Sequence, residues 1–171
     1  PGYVPPIQLG SVMRAGGIAR IVESRIDGLA PGDLVQGRLG WQTHPTLSGE
    51  GLHKLDLTMG DAEAWIGPLG TSALTAYFGM TAVANVKPGD TVLVSGAAGA
   101  VGQIAAQVGT LNHCRVIGIA GGAEKCAMLR DSLGLDAAID YKAATNLSAE
   151  IRQAAPNGVD VYFDNVGGPT L

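Results

Sequence analysis

Ser95-Gly96-Ala97-Ala98-Gly99-Ala100-Val101-Gly102 follows the apolar run Thr91-Val92-Leu93-Val94 and opens a helical pattern, and this junction decides the fold. Ala97-x-Gly99-x-x-Gly102 has the spacing of a dinucleotide-binding turn, with Ala in place of the first Gly. Small residues suit such a turn for two reasons: a pyrophosphate must come close to the backbone, and the helix must pack close to the strand. The helix then aims its free N–H groups and the positive end of its dipole at the phosphates. A Gly/Ala-rich turn can also be tight packing alone, so context matters. Strand, turn, helix and strand follow one another here at βαβ length.

Downstream, short apolar runs alternate with longer amphipathic segments. Strands are expected at 91–95, 115–120, 137–141 and 159–163, and helices at 99–111, 123–133 and 146–155. Along the first of these helices Val101, Ile104, Ala105, Val108 and Leu111 share one face, expected to pack on the sheet. The alternation implies parallel strands joined by right-handed crossovers, an α/β doubly wound sheet with its strands in the order third, second, first, fourth. Upstream, residues 1–60 carry strand signals at Ile18, Ile21 and Val22, at Leu34-Val35, and at Leu39 and Trp41. Gly16-Gly17, Pro31-Gly32-Asp33 and Gly49-Glu50-Gly51 punctuate them, which predicts irregular antiparallel sheet. A short helix near 61–65 and a longer one over 71–83 connect the two parts. Residues 1–80 are thus expected to be a β-rich part with its connecting helices, and 81–171 the nucleotide sheet. A start at Pro1 and a stop at Leu171, directly after Val166-Gly167-Gly168-Pro169, suggest a piece of a longer protein.

Composition narrows the function classes. Glycine fills 26 of 171 positions, roughly twice its average share of about 7%, but without the period of three that collagen needs. An apolar share of 46% with a net charge of -4 excludes disorder. Eleven basic against 15 acidic residues leave no electrostatic footprint for nucleic acid or an anionic membrane. The apolar stretch 91–109 is broken by Ser95, Gln103, Gln107 and glycines, so no membrane span is expected. Cys114 and Cys126 are too few and too far apart for a disulfide framework or a zinc site, which suits reduced thiols in the cytoplasm. His44, His53 and His113 lack metal-ligand spacing and are expected at the surface or in turns. No metal is predicted, and the catalytic residues are unknown, because no nucleophilic set suggests itself.

Cofactor identity turns on the end of the second strand of the sheet, where NAD-preferring turns keep an acid for the ribose 2′-hydroxyl. Here Val116-Ile117-Gly118-Ile119-Ala120 ends in Gly121-Gly122. The two glycines leave room for a 2′-phosphate, and Lys125 follows as a cation to pair with it, which favours NADPH. Glu124 facing the ribose would reverse the preference, and the alternative for Lys125 is a solvated lysine on the helix face. After the third strand, Asp140-Tyr141-Lys142 sets Tyr141 beside the adenosine ribose or its phosphate, or else as a cap on the core. After the fourth, Phe163-Asp164-Asn165-Val166-Gly167-Gly168 faces the crevice where strand order reverses. Asn165 can there hydrogen-bond a ribose, or the loop is ordinary punctuation.

Together with this junction, the runs Tyr3-Val4-Pro5-Pro6, Gly10-Ser11-Val12-Met13-Arg14, Gly40-Trp41-Gln42, Leu74-Thr75-Ala76-Tyr77-Phe78-Gly79, Glu124-Lys125-Cys126 and Tyr162-Phe163-Asp164-Asn165-Val166-Gly167-Gly168 resemble one family. It is the zinc-independent medium-chain dehydrogenase/reductase family, in its prostaglandin reductase, alkenal double-bond reductase and curcumin reductase group. The resemblance implies a partial Rossmann sheet preceded by part of a β-rich GroES-like domain. It also implies NADPH-dependent reduction of the C=C bond of an α,β-unsaturated aldehyde or ketone. Hydride would pass to the β-carbon while the enolate oxygen is stabilised by hydrogen bonding. By the same resemblance, Gly99, Ala100, Val101 and Gly102 match the pyrophosphate turn, and Lys125 and Tyr141 the pair on the 2′-phosphate. Asn165 matches a residue near the nicotinamide half, and Thr75 and Tyr77 match a segment lining the nicotinamide pocket. The family's active-site tyrosine falls beyond Leu171, and a homodimer is implied for the parent protein. Ser72-Ala73 stand where the family has Pro-Gly. A quinone reductase of the same superfamily and a non-catalytic dinucleotide-binding protein are the competing readings.

Overall fold

The computed structural model describes residues 5–168, so Tyr3 and Val4 of the first quoted run, and Pro169, lie outside the described residues. The chain forms two compact units, Pro1–Ile66 and Gly67–Leu171. In the first, β1 (Gly16–Arg20), β2 (Leu34–Arg38) and β3 (His53–Lys54) make an antiparallel sheet in that order, with Ile18 opposite Gln36. Pro31-Gly32-Asp33 turns the chain into β2, with Gly32 at φ +92°. The Asp33 carboxylate accepts the Ala30 N–H at 2.9 Å and pairs with Lys54 Nζ at 2.8 Å. Val35, Leu39 and Leu55 are buried here, whereas Trp41 is exposed and lies in a loop after β2. Asp61 caps α1 (Ala62–Ile66) by accepting the Ala64 N–H at 2.9 Å.

The second unit begins with α2 (Thr71–Phe78), which runs into a π-helical turn, Gly79–Val83. Then follow β4 (Thr91–Val94), α3 (Ala100–Leu111), β5 (Arg115–Ala120), α4 (Ala123–Ala127), a second π-helical turn at Met128–Ser132, β6 (Ala137–Asp140), α5 (Leu147–Ala154) and β7 (Val161–Phe163). The four strands are parallel in the order β6-β5-β4-β7, the expected third-second-first-fourth arrangement. β4 and most of β5 are buried on both faces, so their residues read as continuous apolar runs, as parallel strands under helices should. Alternation sorts them. Val92, Val94 and Val116 pack with Met80, Ala105, Ala106 and Leu129 on one face, and Leu93, Ile117 and Ile119 pack with Ile151 and Ala155 on the other. Helix cover thus changes face between β6 and β7, which makes the gap between β4 and β7 the switch point of the sheet.

Two expectations about helices are corrected. Of the face expected for α3, Val101, Ile104, Ala105 and Val108 pack against the core, but the fully buried positions are Gly102, Ala105, Ala106 and Gly109, and Leu111 is 77% exposed and does not reach the sheet. The cause is closeness: a Cβ on Gly109 would stand 2.9 Å from Val116 Cγ2, so only the smallest residues fit between helix and sheet. The longer helices expected over 71–83 and 123–133 both change to π-helical turns near their C-termini. Because α2 packs on α3, it belongs to the second compact unit, whereas the sequence reading divides the chain at residue 80. Cys114 and Cys126 are free and buried, and burial pushes both thiols up from their ordinary values. No helix of the described residues is long and apolar enough to cross a membrane.

Candidate cofactor site

The turn after β4 is held from below. Ala97 is fully buried and donates its N–H to the Ile119 carbonyl of β5 at 3.0 Å, and the Gly99 N–H reaches the Gly96 carbonyl at 2.9 Å. Gly96 takes φ +55°, a left-handed conformation that glycine adopts without strain. A Cβ on Gly102 would lie 2.3 Å from the Gly96 carbonyl oxygen and 2.8 Å from Ala97 Cα, both backbone atoms with no freedom to yield. Gly102 is therefore the contact that seats α3 on the turn. Gly99 caps α3 with no side chain, and Gly99 and Ala100 are exposed, with Val101 half-buried behind them. The first N–H groups of a twelve-residue helix thus open onto a surface without side-chain competition, the geometry that suits a phosphate.

At the end of β5, a Cβ on Gly121 would stand 2.8 Å from Tyr141 Cε1, 2.9 Å from its hydroxyl and 3.0 Å from Lys142 Cε. Tyr141 and Lys142 therefore lie across Gly121, and only a residue without a side chain leaves them that place. Asp140, the last residue of β6, holds this arrangement: its Oδ1 accepts the Gly122 N–H at 2.8 Å and the Lys142 N–H at 3.0 Å. The same bonds, that from Gly122 foremost, lower its carboxyl below the ordinary 3.8. Lys125 and Glu124 are exposed on α4, and neither makes an ion pair among the described residues.

At the switch point, Ser95 is fully buried, and its hydroxyl donates to Asp164 Oδ1 at 2.6 Å. Asp164 Oδ1 also accepts from the Tyr162 hydroxyl at 3.0 Å and the Val166 N–H at 3.1 Å, and Oδ2 from the Gly167 N–H at 2.9 Å. These bonds, that of Ser95 first, lower its carboxyl below the ordinary value. Asn165 grips the same serine twice, its backbone N–H on Ser95 Oγ at 2.8 Å and its Nδ2 on the Ser95 carbonyl at 2.9 Å. On α2, the Thr75 hydroxyl donates to the Thr71 carbonyl at 2.9 Å, and the half-exposed Tyr77 meets Phe78 edge-on with ring centroids 5.4 Å apart. A Cβ on Gly79 would stand 2.6 Å from Phe163 Cε2, so the end of α2 lies against the end of β7.

Of the residues singled out in the sequence, the structure brings Asn165 to the turn that carries Gly99, Ala100, Val101 and Gly102. It sets Tyr141 over Gly121, and leaves Lys125, Thr75 and Tyr77 on helices without a side-chain tie to those two groups among the described residues. Sequence reading gave no role to Ser95, Asp140 or Asp164. For both aspartates a signal existed, a carboxylate at the C-terminal end of a strand, and for Asp164 also the glycines that follow it at 167 and 168. The histidines are exposed, and no three His, Cys, Asp or Glu residues gather around a metal-sized space among the described residues.

A parallel sheet carrying a side-chain-free turn beside its switch point defines an α/β protein built to hold a dinucleotide. Residues 1–55 match a family described as the N-terminal domain of oxidoreductase, and residues 100–171 one described as zinc-binding dehydrogenase. The NADPH-dependent curcumin reductase of Escherichia coli (strain K12) is 40% identical over 168 residues, 98% of this chain and 48% of that protein. Prostaglandin reductase 1 of Mus musculus is 43% identical over 162 residues, 93% of this chain and 49% of that protein. The crystal structure of CurA in complex with NADPH from Vibrio vulnificus superposes with a TM-score of 0.92 at 36% identity, covering 99% of this chain and 50% of that one. The chain belongs to the zinc-independent medium-chain dehydrogenase/reductase family, in the group of the curcumin, prostaglandin and alkenal reductases. It spans about half the length of the curated relatives it matches.

Proposed function

We propose that this chain carries the NADPH cradle of an oxidoreductase that reduces the C=C bond of α,β-unsaturated aldehydes and ketones. The observation that carries the cofactor reading is the end of β5, where glycine stands at 121 and 122 in place of an acid, Gly121 lies under Tyr141 and Lys142, and the nearby Asp140 is engaged by the Gly122 and Lys142 N–H groups. Gly102 lets α3 sit against the turn, and Gly121 lets Tyr141 and Lys142 lie across the end of β5; close packing of helix on strand is one of the roles glycine has in a dinucleotide turn. In this reading Gly99, Ala100, Val101 and Gly102 form the turn that binds the pyrophosphate, through the N–H groups of Ala100, Val101 and Gly102, and Lys125 and Tyr141 bind the 2′-phosphate. Asn165 accepts from the ribose on the nicotinamide side, and Thr75 and Tyr77 line the nicotinamide pocket. NADPH, when bound, supplies the hydride. The chain's own contribution is to orient the cofactor and exclude water from its reactive edge. Residues 1–80, apart from Thr75 and Tyr77, serve the substrate side, and 81–171 the cofactor. The substrate class rests on the relatives' names, curcumin reductase, prostaglandin reductase and 2-alkenal reductase. The same reading has the whole protein working as a homodimer in the cytoplasm.

Thermal-shift titrations with NADPH and NADH, repeated with NADPH on Lys125→Ala, test the cradle. A ligand at a hundred times its Kd stabilises the fold by about 2.7 kcal/mol. NADPH should raise the melting temperature more than NADH, and Lys125→Ala should erase the difference. Equal responses to the two cofactors would remove Lys125 from the 2′-phosphate and put Glu124 at the ribose. For the reaction, NADPH consumption with an enone by the full-length protein is expected; firm NADPH binding without turnover of enones would favour a non-catalytic binding protein.

A further inference from the structure

We infer that Ser95 and Asp164 are positioning residues, which hold the Asn165 amide so that its oxygen faces a ribose hydroxyl on the nicotinamide side of the cradle. The inference rests on the NADPH reading above and adds a pair of residues to it. Ser95 ends β4 and is buried, yet its hydroxyl and carbonyl spend three hydrogen bonds on residues 164 and 165, at the far end of the second unit's sequence. A buried hydroxyl needs one partner; this one serves as a joint between β4 and the loop after β7. The Asn165 side chain donates Nδ2 to the Ser95 carbonyl, which fixes the plane of its amide, and the amide oxygen has no partner among the described residues. That oxygen can only accept, so the group it meets is a donor such as a hydroxyl.

Asp164 completes the clamp. Its two oxygens take the Ser95 hydroxyl and the N–H groups of Val166 and Gly167, which bends the chain around the carboxylate and keeps Asn165 at the turn. A Cβ added to Gly96 would lie 3.5 Å from Asn165 Cβ, so the loop rests directly on the glycine turn. The pyrophosphate end and the nicotinamide end of the cradle are therefore one hydrogen-bonded body.

Calorimetric titration with two probes separates this role from a general structural one. NADPH spans both ends of the cradle, whereas 2′,5′-ADP reaches only the adenosine end. Ser95→Ala is expected to weaken NADPH about tenfold, the size of one lost hydrogen bond, and to leave 2′,5′-ADP within about twofold. Asn165→Ala should do the same, and the double variant should lose no more than either single one, because the serine acts through the asparagine. Asp164→Asn, which keeps the volume of the side chain, should reproduce the split between probes and serves if Ser95→Ala does not fold. Equal weakening of both probes, unchanged NADPH affinity in Ser95→Ala or Asp164→Asn, or additive losses in the double variant would overturn the inference and leave the cradle standing. An unmutated chain that binds neither probe would overturn the cradle itself.

Discussion

At the scale of single residues, the glycines of this chain differ in what they exclude. Gly102→Ala drives a methyl into the Gly96 carbonyl, and Gly99→Ala meets the same oxygen at 3.1 Å. Urea unfolding should therefore show a loss of about 1–3 kcal/mol for the first, the range of overpacked sites, and a smaller loss for the second. Gly102→Ala matching Gly99→Ala would mean that α3 can lift from the turn at little cost. Two of the hydrogen-bonded carboxylates make a separate prediction. Asp140 and Asp164 are both held below the ordinary 3.8, so each binds its proton less readily folded than unfolded. Their stabilisation is complete above about pH 4 and is lost as pH falls through the lower folded values. The melting temperature should be level from pH 7 to 5 and drop below about pH 4, and Asp140→Asn and Asp164→Asn should each make that drop shallower. A drop of unchanged depth in both variants would assign acid unfolding to other groups.

At the scale of elements, α3 shows what periodicity reveals and what it leaves out. The strand, turn and helix at 91–111 and the order of all four strands were legible, because apolar runs, glycine turns and helical spacing are local properties. The face of α3 was legible in part: Val101, Ile104, Ala105 and Val108 do pack against the core, and Leu111 does not. Counting large apolar residues selects Leu111, but a helix this close to its sheet buries glycine and alanine and leaves the leucine outside. Leu111→Ala should then change stability by no more than about 0.5 kcal/mol. Gly109→Ala gains up to about 1 kcal/mol of helix propensity but strikes Val116 Cγ2, on a stiff, fully buried β-branched side chain. A net loss of about 1 kcal/mol is expected from overpacking, and a stabilised variant would show that α3 has room to move. The clamp at Ser95 was beyond sequence reading for a different reason, since its partners lie some seventy positions away and no local pattern links them. The π-helical turns at Gly79–Val83 and Met128–Ser132 had no signal of their own, because their residues fit an α-helix equally well.

At the scale of the whole molecule, every candidate cofactor residue falls in the second compact unit, from Thr75 to Asn165, and none in the first. Hydrogen exchange should record that division. Addition of NADPH is expected to slow amides at 95–102, 121–122 and 164–167, and to leave those of β1 and β2 as they were. Protection spreading equally through β1 and β2 would mean that the first unit takes part in holding the cofactor.

The pair Gly121-Gly122 also bears on how such a protein can change in evolution. Every glycine codon is one base from a codon for aspartate or glutamate, so an acid suited to NADH is always a single mutation away at either position. Neither step is free. At Gly121 the new side chain must push the exposed Tyr141 ring and Lys142 out of their place; at Gly122 there is space, but the backbone stands at φ +103°, where an acidic residue is strained. A lineage changing coenzyme at Gly121 would thus disturb one proposed partner of the 2′-phosphate in the same step that brought a partner for the hydroxyl. The proposed preference is thereby buffered against drift, because the gain and the cost arrive together.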